Sequence, residues 1–434
     1  MRQICSCSCQ CVCSETENGN IVQHPLADYL PSNKLAISQL RVERFRNYQQ
    51  CQLDIGDAPI VLYGPNGAGK TNLMEAVSLL APGRGLRSAP KTAFFYQSEQ
   101  KGQSEQKRQT EQDSFLDTDT RTPWSVFAQI ASSDGLRHIG TASHPENPDA
   151  SRIVRIDNRT ASQSQLGEIC AVSWLTPQMD GLFLGPASQR RRFLDRLSMS
   201  FDQAHAGRVS RFEKAWRQRN RLLSEPPYDA AWLSGLEQIL AETGVAIMAT
   251  RLQLLSDLCL VSEQMDSPFP RISGHLDGAL ARWLSSGKPA IDIEDVIIET
   301  ARQNRQAGLH SMPGPHESDM HLEFSGQHVC HASTGEQKAL LISMVLAHAQ
   351  LQHNRLSLAP ILLLDDVAAH LDEDRRHALF GLCAGLDSQI WYSGADRSAF
   401  SALGNDAQFI AVEQGSLPEE AEQRDNPYLA SLAR

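Results

Sequence analysis

The stretch GPNGAGKT, residues 64–71, constrains this chain more than any other, because an apolar run leads into it and a helix-forming run leads out. Ahead of it Ala58-Pro59-Ile60-Val61-Leu62-Tyr63 reads as a short strand; behind it Asn72-Leu73-Met74-Glu75-Ala76-Val77 reads as a helix. Strand, glycine loop and helix make the context that the phosphate loop G-x-x-x-x-G-K-[ST] demands. Gly64, Gly67 and Gly69, with Pro65, Asn66 and Ala68 between them, let the backbone turn its N–H groups inward around phosphate oxygens. Lys70 reaches the β- and γ-phosphates, and Thr71 offers its hydroxyl to Mg2+. The helix, which opens with Asn72 beside them, turns its positive dipole end to the same anion.

A chain of 434 residues with 41% hydrophobic content can bury a large core and exceeds one average domain. No run approaches the ~18 apolar residues of a membrane helix, and no charged-then-apolar start resembles a secretory signal, so the expectation is a cytoplasmic protein with no membrane partner. The net charge of −11 argues against coating nucleic acid with the whole surface, but not against a local basic face. Of ten cysteines, Cys51, Cys170, Cys259, Cys330 and Cys383 are scattered singly and read as reduced thiols in a cytosolic core. Cys5, Cys7, Cys9, Cys11 and Cys13 alternate. Composition favours a disordered leader over 1–33; a thiophilic metal site is the alternative, though no histidine or acidic cluster accompanies it.

From residue 34, LAISQLRVERFRNYQQCQLDI alternates apolar and polar residues as an antiparallel strand pair would. Arg46-Asn47-Tyr48 could stack on a base and touch phosphate, and packing of Tyr48 on the sheet is equally open. Gly83-Arg84-Gly85-Leu86-Arg87-Ser88 is a basic turn suited either to an anion such as DNA phosphate or to solvent. Residues 97–112 carry Gln at every third position, a period that fits neither helix nor strand, so 97–122 reads as a mobile insertion. Three short runs at 124–130, 136–141 and 152–156 suggest an antiparallel meander. The apolar run 169–175 stops at Thr176-Pro177-Gln178, which places Gln178 just past a strand.

Between 180 and 223, ten Lys/Arg residues, Arg190, Arg191 and Arg192 foremost, stand against four acids in an otherwise acidic chain. Phe193, Leu197 and Phe201, then Val209, Phe212 and Trp216, put these charges on helices. A solvated helix face and a phosphate-backbone contact both explain them. From 230 to about 305, Leu236, Leu240, Val245, Met248, Leu252, Leu255 and Leu258 are spaced for helices that pack on the basic ones. Two antiparallel helices of about 35 residues span only ~50 Å, a compact arm.

Ser333-Thr334-Gly335-Glu336-Gln337 brings a hydroxyl, a glycine and a helix start together, a second phosphate-seeking surface. Pro360-Ile361-Leu362-Leu363-Leu364-Asp365-Asp366 is a buried-strand run ending in two carboxylates. Asp365 suits a hard cation, and Asp366 is placed to orient or deprotonate an attacking water.

In this order, phosphate loop, glutamine loop, S-x-G-E-Q, apolar run plus D-D, and Leu371-Asp372, the chain resembles the ATP-binding-cassette heads of the structural-maintenance and Rad50 type, and most of all the RecF family of recombinational repair proteins. The resemblance runs from about residue 34 to 412 and includes LRVERFRNYQ, GRGLRS, LTPQMDGLFLGPASQRRRFLD, GPHESDM and LLLDDVAAHLD. It implies an α/β fold: a P-loop ABC-type ATPase head with an antiparallel β subdomain, plus a compact helical arm inserted between head halves. On this reading 34–195 and 308–434 are the two parts of the head and 196–307 the arm. The resemblance further implies that Lys70, Thr71 and Asp365 bind ATP and Mg2+, with Gln178 a further metal or water contact, and that Asp366 is the hydrolytic carboxylate. Ser333 and Gly335 would grip the γ-phosphate of ATP held by a second copy, in an ATP-dependent homodimer with Asp372 at its seam. Gapped or single-/double-strand junction DNA, met through Arg84, Arg87, Arg190, Arg191 and Arg192, and the mediators RecR and RecO are the implied partners. The alternative is the nucleotide-binding subunit of an ABC transporter, whose motifs lie much closer together than the 262 positions from Thr71 to Ser333.

The chain departs from the family pattern in several places, among them the Cys-rich leader and the Gln-repeat insertion, which have no counterpart in the family. Glu317 stands where the family's G-P-H-R has arginine, which puts a DNA or nucleotide role there in doubt. Ser393-Gly394 follows the late strand where cassettes carry a switch histidine. Asp366 replaces the longer Glu usual in cassette heads, so hydrolysis is expected to be slow, as in a clamp.

Overall fold

The computed structural model describes residues 34–417 apart from 98–121, 133–134, 148–149, 226, 228, 357–358 and 369–370, so the expectations for the leader and for nearly all of the Gln-rich insertion fall outside the described residues. At its centre is a parallel sheet of five strands in the order β14 (Gln408–Ala411), β3 (Ile60–Tyr63), β13 (Ile390–Gly394), β12 (Ile361–Leu364) and β8 (Val172–Leu175). Short, almost wholly apolar runs make strands of this kind, because both faces are covered. Alternation along each strand sends Ile60, Leu62, Ile361, Leu363 and Trp391 into one core and Val61, Leu362, Leu364 and Tyr392 into another.

The first core is closed by helix α1 (Lys70–Ser78) and by an antiparallel sheet in the order β2 (Tyr48–Asp54), β1 (Ala36–Phe45), β4 (Ser125–Ser132), β5 (Gly135–Ala142), β6 (Ile153–Ile156) and β7 (Arg159–Ala161). The expected strand pair and meander are both present. β1 runs against β2 with Gln39 opposite Asp54 and Phe45 opposite Tyr48, so the turn at Arg46-Asn47 comes to lie beside the phosphate loop.

The second core is helical. α2 (Ala187–Ser198), α3 (His205–Ser224), α4 (Ala230–Gln264), α5 (Ala279–Ser285) and α6 (Ala290–Gln306) pack with α7 (Thr334–Leu356) and α8 (Glu373–Ala384). α4 begins where Asp229 accepts the Ala231 N–H and its 35 residues contact α3, α6 and α7. Contrary to the expectation that no run reaches membrane length, α4 is long and apolar enough to cross one. Its apolar side instead meets protein: Leu233, Leu236, Leu240, Met248, Leu255 and Leu258 are all buried. The arm stretch also contains a strand that its helical periodicity hides. β9 (Ser273–Asp277) pairs with β10 (Asp319–Phe324), which pairs with β11 (Gln327–His328).

About half of the positive charge at 180–223 is spent inside the fold. Arg219, fully buried, meets Glu237 at 3.2 Å; Arg190 meets Asp319 at 2.7 Å; Arg196 lies over the Trp174 ring at 4.6 Å; and Arg208 pairs with Asp202. Among the described residues, Arg192, Arg211 and Lys214 are exposed and make no ion pair.

Candidate functional site

The loop between β3 and α1 holds its shape through backbone that L side chains rarely adopt. Gly64, Gly67 and Gly69 have φ of 146°, 85° and 121°. A Cβ at Gly64 would run into the Val412 carbonyl, and one at Gly69 would press on Asn47 Nδ2 at 2.7 Å and Tyr48 Oη at 2.8 Å. Asn47 donates to the Ala68 carbonyl at 3.0 Å and accepts from Asn72 Nδ2 at 2.7 Å, tying the β1–β2 turn to the loop. Tyr48 is fully buried, so of the two readings open for it, packing is the one the structure adopts.

Lys70 Nζ donates to the carbonyls of Gly64 at 2.7 Å and Pro65 at 2.9 Å. Burial lowers its pKa, and Asp366 and Asp365 oppose that shift. Facing it, at the end of β12, Asp365 Oδ1 accepts from Thr71 Oγ1 at 2.9 Å and from Ser393 Oγ at 2.7 Å. The Asp366 N–H donates to the same Ser393 hydroxyl at 2.9 Å. Burial raises the Asp365 pKa, while the hydrogen bonds from Ser393 and Thr71 and the charge of Arg87 pull it down. Asp366 itself takes a left-handed backbone, φ 53°. Asn66, Gly67, Gly69, Lys70, Thr71, Asn72, Asp365, Asp366 and Ser393 thus line one pocket, with Arg87 and Pro177 at its rim. Clustered hydroxyl and carboxylate oxygens beside loop amides and an ammonium suit a polyphosphate with a hard divalent cation.

Sequence reasoning does not show how three groups tie into this arrangement: Ser393, the Arg46–Glu75 pair and Arg87. Ser393 joins the Asp365 carboxylate to the Asp366 backbone N–H. Arg46 grips Glu75 with two bonds of 2.7 and 2.9 Å, and Arg87 joins it at 3.4 Å while donating to Asn72 Oδ1 at 2.7 Å. Glu75 is fully buried on α1, and its place in the apolar run LMEAV was the available signal, since a carboxylate there needs a cation.

The remaining expected residues lie elsewhere. Gln178 sits exposed in a 3-10 turn, Pro177–Met179, and lines an adjoining groove with Arg87, Arg192 and Arg196, apart from Thr71 and Asp365. Arg84 and Arg192 are exposed. Arg190 is held by Asp319 and the Gly185 carbonyl, and Arg191 donates to the Ser318 carbonyl at 2.7 Å. Ser333 caps α7: its hydroxyl donates to Glu336 Oε2 at 2.7 Å, and its own N–H does so at 2.8 Å. Ser333 and Gly335 are exposed, and neither lines the phosphate-loop pocket. Asp372 caps α8 by accepting the Arg375 N–H. Glu317 is exposed beside His316, whose ring lies 4.1 Å from that of Trp216.

A family model for the RecF/RecN/SMC N terminal domain matches residues 36–401. The DNA replication and repair protein RecF of Rhizobium rhizogenes is 42% identical over 398 residues, spanning 89% of this chain and 99% of that protein. The protein of the same name from Agrobacterium fabrum is 41% identical over 394 residues, 89% of this chain and 99% of its own length. Among solved structures, one described as the recombination mediator protein RecF-ATPrS in the RecFOR pathway superposes with a TM-score of 0.72 at 19% identity, over 89% of this chain and 98% of that one. Its RecF-ATP counterpart gives 0.70 at 17%, over 90% and 98%. At such identities the superpositions speak for the fold.

Proposed function

The chain belongs to the RecF family, and on that premise we propose that it is an ATP-gated DNA-binding protein of recombinational repair and replication, in which bound nucleotide latches two copies head to tail. One observation carries this reading: within a single chain the exposed start of α7 lies outside the pocket that Lys70, Thr71 and Asp365 line. A second copy's Ser333 and Gly335 would complete that pocket, their helix end turned to the γ-phosphate.

The residues fit ATP and Mg2+. Loop amides and Lys70 would hold the phosphates, Lys70 exchanging its two loop carbonyls for phosphate oxygens, while Thr71 and Asp365 would hold the cation. The cation would supply charge neutralisation at the β- and γ-phosphates. Asp366 would take a proton from the attacking water, with Ser393 fixing the backbone that carries it. The short Asp366 side chain supports slow turnover. DNA contact would fall on the exposed Arg84 and Arg192, through phosphates, and weaken steeply with salt. Gapped or junction DNA and the mediators RecR and RecO complete the proposed set of partners, and the RecFOR pathway named for the superposing structures supports that choice.

Light scattering tests the latch. The wild-type protein should double its mass with ATP and Mg2+, whereas Lys70→Ala and Ser333→Ala should stay monomeric at the same concentration. Hydrolysis assayed with and without gapped DNA separates a repair role from that of a transporter subunit, since only the first predicts stimulation by DNA.

A further inference from the structure

The outer face of the small sheet carries a row of histidines that the nucleotide site does not use. His275 on β9 and His321 on β10 are cross-strand partners with rings 5.5 Å apart, and His328 on β11 stands edge-on to His321 at 5.2 Å. His331 lies 6.4 Å beyond His328. Between them is Cys330, part-buried, with Sγ 2.9 Å from His328 Nδ1.

The hydrogen bonds fix which way protons point. His328 Nδ1 accepts the Cys330 backbone N–H at 3.2 Å, so that nitrogen carries the lone pair. The ring proton is then on Nε2, which donates to His321 Nδ1 at 3.2 Å. Toward this imidazole the thiol can only donate. Cys330, His328 and His321 therefore form a chain along which a proton can leave sulfur. Arg190, paired with Asp319, is near enough to feel charge on Cys330. Burial, with the Arg190 guanidinium nearby, keeps His328 below the usual imidazole range, in its acceptor form.

The hydrogen bonds that join sulfur and rings offer proton transfer, and one contrast narrows what this cluster does. Among the other described cysteines, Cys51, Cys170 and Cys383 are buried, and burial pushes Cys170 and Cys383 up to about 12 and raises Cys259 as well. Thiolate character and access decide which cysteine reacts.

We infer that Cys330 is a hydroperoxide-sensitive thiol activated by His328, and that its oxidation disables the start of α7. The thiol proton passes to His328 Nδ1, and the thiolate attacks the terminal oxygen of the peroxide. An S–O bond forms as the O–O bond breaks, and the leaving alkoxide or hydroxide takes the proton back from His328, giving a sulfenic acid and an alcohol or water. Sulfur is oxidised and the peroxide reduced. The consequence follows from position. Cys330 lies in the 3-10 turn Val329–His331, which runs through Ala332 into Ser333, and Gln337 of α7 donates to the Ala332 carbonyl at 2.9 Å. An added oxygen would break the contact between sulfur and His328 and shift that turn.

The first measurement treats the full chain with hydrogen peroxide in the presence of a sulfenic-acid trap and follows each cysteine by peptide mass spectrometry. Cys330 should be trapped faster than Cys51, Cys170, Cys259 and Cys383. In His328→Asn its rate should fall about tenfold or more, the scale of a lost general base. Asn can still accept the Cys330 N–H, so the turn is kept, and the thermal midpoint checks this. A Cys330 rate no higher than that of the buried thiols, or unchanged in His328→Asn, overturns the activation. The second measurement rests on the latch described above: peroxide should reduce ATP-dependent association of wild type and spare Cys330→Ser. Association that persists with Cys330 oxidised overturns the coupling to α7. Trapping is read without nucleotide, so failure of the latch itself would leave the first result standing.

Discussion

Asp365 has only 4% of its surface exposed, yet it must be ionised to hold a divalent cation. Burial raises its pKa above the unfolded value, so its contribution to stability is fully present only below that unfolded value and is lost as pH rises through the folded one. At neutral pH the ionised carboxylate therefore subtracts from stability. Asp365→Asn, whose amide oxygen can still accept from Thr71 and Ser393, should raise the thermal midpoint of the nucleotide-free protein. Melts should show the gain over wild type shrinking as pH falls, and the midpoint shift caused by ATP with Mg2+ should vanish. A variant less stable than wild type at every pH sinks this account. Asp366 poses a different constraint. Its left-handed backbone tolerates Asp and Asn better than longer side chains. Asp366→Asn should lower hydrolysis about 100-fold or more while ATP-driven association survives, if Asp366 is the general base. Asp366→Glu should turn over faster, at a stability cost of about 1 kcal/mol from the same backbone. Turnover that is unchanged or lower would falsify the idea that a missing methylene slows the reaction. The two carboxylates were legible in the sequence because a strand-end D-D has few other uses beside a phosphate loop. Ser393 was not, because its role depends on β12 and β13 lying side by side, 28 residues apart in the chain.

Helix α7 concentrates two demands in one element. Its first turn is capped by the Ser333–Glu336 box, and its middle places His348 in the core, where Nε2 donates to the Leu197 carbonyl at 3.0 Å and Nδ1 lies 3.2 Å from Ser173 Oγ. Ser333→Ala and Glu336→Ala should each cost roughly 1 kcal/mol as cap losses. Only the first removes the hydroxyl proposed to meet a partner's phosphate, so urea titration and light scattering should part company: similar stability, association lost in Ser333→Ala alone. Burial pushes His348 down to about 4, against an ordinary value near 6.5. A depressed histidine contributes stability that is present above the unfolded value and lost as pH falls through the folded one. Stability in urea should therefore fall between about pH 6.5 and pH 4, and His348→Gln should flatten that limb while lowering stability at neutral pH. His316, also pushed to about 4, should leave part of the slope in the variant. The apolar run after STGEQ made α7 legible. Its histidine was not, since nothing in one helix announces that β8 and the end of α2 will supply a hydroxyl and a carbonyl.

Motif order exposed the architecture of the whole molecule because each motif ends a strand of one parallel sheet. β3 delivers Lys70, β8 delivers Pro177, β12 delivers Asp365 and Asp366, and β13 delivers Ser393, all to the C-terminal ends of the parallel strands. The pairing of β9 with β10 stayed hidden, because helical periodicity on both sides masks a five-residue strand whose partner lies more than forty residues on. The start of α7, the second phosphate-seeking surface of the sequence, is not gathered in by these strand ends, and that separation allows a test at the scale of the assembly. In a symmetric head-to-tail pair each pocket draws Lys70 from one copy and Ser333 from the other. Lys70→Ala and Ser333→Ala should each be inactive alone. Mixed in equal amounts, they form heterodimers in which one pocket has lost both groups while the other keeps Lys70 from one copy and Ser333 from its partner. Because neither variant pairs with itself, the dimers that form are mixed, each with one whole pocket of two, so ATP hydrolysis should recover to at most about half of the wild-type level. If the mixture stays as inactive as its parents, although Ser333→Ala still binds ATP and both variants are folded, the pocket is not completed by a second copy.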